Sequence, residues 1–335
     1  MEAVLVYVWF FLLYGVLFLF VLLDGADLGI GILALGVRRE ERRSAMMATI
    51  GPLWYANETW LVIAGAILFG AFPAAYGLLL SSLYIPAMLL IFGLMLRAVS
   101  IEFRPHSERK GLWGTLFAAG SLVAVLGQGF ILGGLLSGLK VQGGSFAGGP
   151  WDWINPVGAL VAATIVAGYA TLGAAYMVRR SEGEFQAFNR GLARASAVAA
   201  VALFVSAVVL LPAAQTPFST VWFKPPQVIA VPVCLAATLA GFILLLWSTA
   251  KAKSVPVYPW AVLAFVGAAA AVVAGIFPYF IPFAVTAAEA AAAGPTLLFM
   301  LAGAAVILPI IAVYSLYVRG VFRGKVHGDI SGEGY

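Results

Sequence analysis

The chain has 335 residues, of which 63% are hydrophobic and 10% charged, with a mean hydropathy of +1.03. Soluble domains carry about 25% charged residues, so a chain this long lacks the polar surface to wrap a core in water, and its solvent is lipid. The formal net charge of +5 would ordinarily suggest an anionic partner such as nucleic acid, but the positions of the charges give it another meaning.

A membrane-crossing helix needs about 20 mostly apolar residues. Such runs predict nine spans, over residues 4–35, 52–71, 75–99, 114–138, 157–178, 192–212, 227–250, 257–280 and 296–320. The first run is long enough to tilt or to continue beyond the bilayer. It does not read as a cleaved signal peptide, because no basic segment precedes it and it runs into Asp24-Gly25-Ala26-Asp27.

Under strict alternation, all of the 19 lysines and arginines except Lys140 and Lys224 fall on one side. Arg38, Arg39, Arg42 and Arg43 follow the first span, Arg97, Arg104, Arg109 and Lys110 lie at or after the end of the third, and Arg179, Arg180, Arg190 and Arg194 bracket the turn after the fifth. Lys251 and Lys253 follow the seventh, and Arg319, Arg323 and Lys325 the ninth. Basic residues stay in the cytoplasm, so the expected orientation has the N-terminus outside and the C-terminus inside. The basic balance is topology, and a nucleic-acid partner is not expected.

The loops over residues 139–156 and 213–226 are rich in Gly, Pro and aromatics, with Trp151, Trp153 and Trp222 expected at the interface. Pro278 and Pro282 end the eighth span, and Pro309 predicts a kink or local break in the ninth. With no internal repeat and no soluble segment, residues 1–326 read as one transmembrane domain and 327–335 as a short cytoplasmic tail. The fold class is an all-α polytopic membrane protein.

Ionisable groups inside a span cost at least about 2.5–3.5 kcal/mol on insertion scales and are functional candidates by default. Asp24 and Asp27 in the first span, three positions apart, share a helix face. Gly25, Gly29 and Gly31 beside them admit a neighbouring backbone or a file of water. Glu58 lies about 10 Å into the second span at 1.5 Å per residue, and Arg97 near the end of the third can reach the same level. Arg97 also admits a plainer role, an interfacial pair with Glu102. The acids could relay protons, bind a cation, or pair internally to fix helix register. Glu289 reads as a solvated loop or helix-end residue.

Haem iron takes His, Met, Cys or Tyr. His106 and His327 lie outside the spans, and Met88, Met95, Met177 and Met300 are isolated in apolar runs where Met usually fills gaps. Cys234 reads the same way. No redox centre, metal or cofactor is expected in this chain.

Asp24-Gly25-Ala26-Asp27-Leu28-Gly29 resembles the first-helix motif of subunit II of cytochrome bd-type quinol oxidases. The run from Gly51-Pro52-Leu53-Trp54-Tyr55-Ala56-Asn57-Glu58-Thr59-Trp60 to Phe72-Pro73 is similar to that family's second motif. Phe277-Pro278-Tyr279, Gly303-Ala304 to Leu308-Pro309, and Val321-Phe322-Arg323-Gly324-Lys325-Val326 extend the likeness from residue 7 to residue 326, the middle third matching mainly in hydropathy.

The resemblance implies a haem-free subunit of a terminal oxidase in a prokaryotic cytoplasmic membrane, a complex that oxidises quinol and reduces dioxygen to water. It implies haem b, haem d and the quinol-oxidising loop in a partner subunit I, and leaves room for a small single-span subunit. Two four-helix bundles plus one peripheral helix are implied for the fold. The family commonly has Trp-Asp-Gly-Asn at the start of the second motif, with the Asp on a cytoplasmic proton path; here Tyr55 and Ala56 follow Trp54. A tyrosine, with a pKa of about 10, is a poor substitute for a resting carboxylate. Asp24, Asp27 and Glu58, with Tyr55 and Asn57, are therefore the proton-path candidates, supported by Trp54, Trp60 and Arg97; alternatively the path is lost here and the partner supplies protons. The competing class is a secondary transporter or ion channel using Asp24, Asp27 and Glu58 as a cation site, against which the absence of a repeat counts. A third is a scaffold whose acids are purely structural.

Overall fold

The computed structural model describes residues 2–51, 53–214, 218, 221–251, 255–322 and 324–325. The long helices are α1 (Glu2–Ala34), α3 (Trp54–Ala71), α4 (Pro73–Phe103), α5 (Lys110–Leu136), α6 (Pro156–Arg180), α7 (Gly183–Ala214), α8 (Gln227–Ala250), α9 (Tyr258–Ile276) and α11 (Gly294–Val321). Between them lie α2 (Glu40–Ile50), a 3-10 turn (Arg104–His106), and α10 (Ala287–Ala290). Two antiparallel hairpins complete the described elements, β1 (Val141–Gln142) with β2 (Ser145–Phe146), and β3 (Tyr279–Ile281) with β4 (Val285–Thr286).

Among the described residues, eight helices are long and apolar enough to cross a bilayer. The expected second span is present as α3 but is not one of them. It has 18 residues, and Asn57 and Glu58 in its first turns lower its hydropathy. The predicted spans otherwise fall within a few residues of α1 and α4–α9, and of α11, apart from the start of α7, nine residues earlier than expected. Helix α2 was not expected; Arg104 anchors it to the end of α4 by donating to Glu40 and Ser44, both at 2.6 Å. The proposed tail, 327–335, lies outside the described residues, as do Lys253 and Arg323.

Helix α1 is the hub, packing against α3, α5 and α6. Helix α4 pairs with α5, α6 with α7, and α8 with α9, while α7 meets α8 and α9 meets α6. Helix α11 lies against α3 and α1. The α1–α6 crossing needs glycine on both sides: a Cβ on Gly29 would overlap the Tyr169 carbonyl, and one on Gly173 would meet Ile30 N at 2.5 Å. Gly93 makes the same close approach to α5, whereas Gly65 meets nothing within 4 Å and faces outward.

One expectation is corrected. Helix α11 runs unbroken through Pro309, and the break lies in α4, where Leu83 takes φ −123° and ψ 23°. Pro86, three residues on, has no N–H for the Ser82 carbonyl and crowds it, which forces the turn before it out of helical geometry. The two tryptophans of the loop after β2 differ in burial: Trp151 is exposed, while Trp153 is buried against Phe130.

Candidate functional site

Asp24 and Asp27 lie on α1 where it is enclosed by its neighbours, and both are buried. Between them Gly25 leaves room for the Tyr169 ring to pack on α1; a Cβ would sit 2.9 Å from its Cε1. The Tyr169 hydroxyl is turned to Gln128, donating to Oε1 at 2.6 Å.

Arg97, fully buried on α4, reaches both of the other helices. Its Nη2 donates to Asp24 Oδ1 at 2.7 Å and to Glu58 Oε1 at 2.5 Å. The interfacial pair of Arg97 with Glu102 does not form, because four residues of α4 separate the buried level of Arg97 from the exposed level of Glu102. Glu102 instead accepts a hydrogen bond from the Tyr55 hydroxyl at 3.2 Å. Burying this group of charges is costly, and the guanidinium between two carboxylates offsets the cost. Arg97 Nε and Nη1, Asp24 Oδ2 and Gln128 Nε2 have no protein partner; buried polar atoms of this kind are ordinarily satisfied by water.

Asp27 is held differently. Asn57 Nδ2 donates to Asp27 Oδ2 at 2.7 Å and to the Leu23 carbonyl at 3.3 Å, while Asn57 Oδ1 accepts from Arg319 Nη2 at 3.0 Å. One turn along α3, Trp60 Nε1 donates to Ser315 Oγ at 3.3 Å. Helices α3 and α11 are thus joined antiparallel by two polar rungs.

Of the expected site residues, Asp24, Glu58 and Arg97 form one hydrogen-bonded cluster and Asp27 and Asn57 a second beside it. Tyr55 joins neither: the ring is exposed and stacked on Trp54 at 3.6 Å between centroids. Trp54 is buried, with no hydrogen-bond partner for Nε1. Trp60 supports the second cluster from one side. Arg319 and Ser315 were missed. In the sequence Arg319 reads as a topological charge, although Ser315 and Arg319, four apart in an apolar helix, share one face.

Glu58 is the exposed end of the first cluster, with 24% of its side chain accessible. It lies on a stripe of α3, with Tyr55, Val62, Gly65 and Phe69, that this chain leaves open. Among the described residues no group of three or more His, Cys, Asp and Glu could hold a metal ion. His106 is exposed in the 3-10 turn, Met88 and Met95 point outward, and Met177 is buried in an apolar cluster. His327 lies outside the described residues.

The fold and site together define a polytopic helical membrane protein with a buried acid and guanidinium network that opens on one flank. The family description Cytochrome bd terminal oxidase subunit II matches residues 5–322, and the chain belongs to that family. It is 32% identical over 215 residues to "Cytochrome bd-I ubiquinol oxidase subunit 2" of Escherichia coli (strain K12), a match covering 61% of this chain and 56% of that protein. It is 32% identical over 232 residues to "Cytochrome bd ubiquinol oxidase subunit 2" of Bacillus subtilis (strain 168), covering 67% of each. The match therefore spans little more than half the length of the Escherichia coli relative. In fold the chain is similar to one from the bd oxidase of Geobacillus thermodenitrificans, with a TM-score of 0.78 at 12% identity over 95% of this chain and 98% of that one.

Proposed function

We propose that this chain is the haem-free subunit II of a quinol:dioxygen oxidoreductase in a prokaryotic cytoplasmic membrane, and that it gives the complex a proton path from the cytoplasm. Haem b, haem d and the quinol site belong to the partner subunit I. The chain is one transmembrane domain over residues 1–326 with nine spans, α3 counted among them, N-terminus outside and C-terminus inside. The packing supports a bundle of α1, α3, α4 and α5, a second of α6–α9, and α11 on the periphery.

The observation that carries the proton reading is Arg97 held between the buried Asp24 and the partly exposed Glu58. A carboxylate on a lipid-facing stripe is strongly disfavoured, so a protein surface covers Glu58, and the partner docks on the open stripe of α3. Buried donors and acceptors without protein partners, from Asp24 to Gln128, are suited to a file of water leading inward. Reducing dioxygen consumes protons. If they enter from the cytoplasm while quinol releases its own outside, each charge separated is worth about 2.3 kcal/mol per 100 mV.

The test is purification of the tagged chain from its native membrane in mild detergent, read by a reduced-minus-oxidised visible spectrum. Haem bands travelling with a second membrane subunit are expected. A folded chain recovered without haem or partner, and giving cation flux in liposomes by itself, would overturn the reading in favour of a transporter.

A further inference from the structure

Helix α11 has only Leu297, Ser315 and Val318 fully buried, and a partly buried apolar stripe, with Met300, Ala304, Leu308 and Ile311, packs against the core. One end is pinned by Trp9 Nε1 donating to the Leu297 carbonyl at 3.0 Å. At the other end its hold on α3 is polar, through Ser315 and Arg319. An arginine beside a span end ordinarily extends its head toward water. Here it turns inward onto a buried amide.

Three carboxyls and two guanidiniums lie in two adjoining hydrogen-bonded clusters, Arg97 with Asp24 and Glu58, and Asn57 with Asp27 and Arg319. Asp24 and Glu58 each contact Arg97 directly. Asp27 has no ion pair among the described residues; it meets only the Asn57 amide, whose far end is on Arg319. The amide orientation is over-determined: the Leu23 carbonyl can only accept and Arg319 can only donate, so Nδ2 must face Leu23 and Asp27. The other groups around Asp27 are Asp24 on its own helix, Arg97 on α4, Tyr176 on α6 and Tyr258 on α9.

We propose that Arg319 is a positioning residue for proton transfer: through the Asn57 amide it supplies the second positive charge of the site and sets how tightly Asp27, the one acid without its own cation, holds a proton. This rests on the proton-path reading above. Without that charge, Asp27 shares a low-dielectric site with two other acids and a single guanidinium.

The test uses the assembled complex carrying Arg319→Gln or Arg319→Lys, compared at equal haem content by oxygen consumption against pH. Arg319→Gln is expected to displace the profile toward alkaline pH and to slow neutral-pH turnover roughly tenfold, the effect of one decade in proton affinity. Arg319→Lys, which restores the charge, is expected to return the profile toward that of the unaltered complex. A purely structural role would lower yield or thermal stability in both variants without moving the profile, and that result overturns the proposal. Should Arg319→Gln fail to assemble, Arg319→His, an imidazole that loses its charge above about pH 6.5, takes its place; a profile that departs from that of Arg319→Lys only above that pH supports the proposal and an identical profile overturns it. An Asp27→Asn complex with unaltered rate and profile would instead refute the proton role of Asp27, and the proposal with it.

Discussion

Arg97 Nη2 lies 2.7 Å from Asp24 Oδ1, and neither side chain has any accessible surface. The pair joins α4 to α1 at a level where each helix is otherwise apolar, and Glu58 takes the same nitrogen from α3. One guanidinium therefore sets the relative rotation and height of three helices.

Removing that cation leaves two acids unpaired. Arg97→Met should destabilise the chain by about 3–5 kcal/mol, the usual penalty for stranding a buried charge. Replacing Asp24, Glu58 and Arg97 together by Asn, Gln and Met should cost less than Arg97→Met alone. Thermal unfolding in detergent measures both; equal losses would show that the charges are not coupled.

Glu58→Gln keeps the shape and most of the hydrogen bonding while removing the exchangeable proton. We expect oxygen consumption by the complex to fall on the order of a hundredfold, the lower end of what one acid–base group contributes, with haem content unchanged. Unaltered turnover would remove Glu58 from the path.

Gly29→Ala should be far more damaging than its extra methyl suggests, because the Cβ would overlap backbone of α6. We expect a loss of about 1–3 kcal/mol or more from overpacking. Gly65→Ala meets nothing in this chain and, measured on the isolated subunit, should be neutral or stabilising by up to about 1 kcal/mol from helix propensity. The same variant should weaken recovery of the partner if the stripe of α3 is the docking face.

Asp152, in the loop after β2, accepts from Lys140 Nζ at 3.0 Å, and this bond, with the Gly149 amide, holds its carboxyl below the usual carboxylate range. The contribution of this pair is present above that usual range and is lost as pH falls through the lowered value. Acid titration followed by Trp151 and Trp153 fluorescence should therefore show a late transition, and Lys140→Gln should move it upward toward the ordinary range. No movement would mean that the loop is held by other contacts.

Much of this molecule was legible without coordinates. Long apolar runs fixed the helices, since lipid cannot satisfy a backbone amide and each span must satisfy its own. Charges placed in such runs are costly, which singled out Asp24, Asp27 and Glu58. Helix α2 and the hairpins were not legible, being short and amphipathic or set by turn geometry. Tyr55 stood beside the right residues in the chain, yet its position on α3 turns it to the outside, toward Glu102.

The sequence by itself determined that the chain lives in lipid, which stretches cross it, and that three acids there require partners, because hydrophobicity and the cost of buried charge depend on local composition. Only the tertiary structure decided who those partners are. Arg97 and Arg319 lie 39 and 262 positions from the α3 residues they bind. A guanidinium that reads as a topological charge at a span end becomes part of the site only when helix packing brings it within hydrogen-bonding distance of a buried carboxylate or amide.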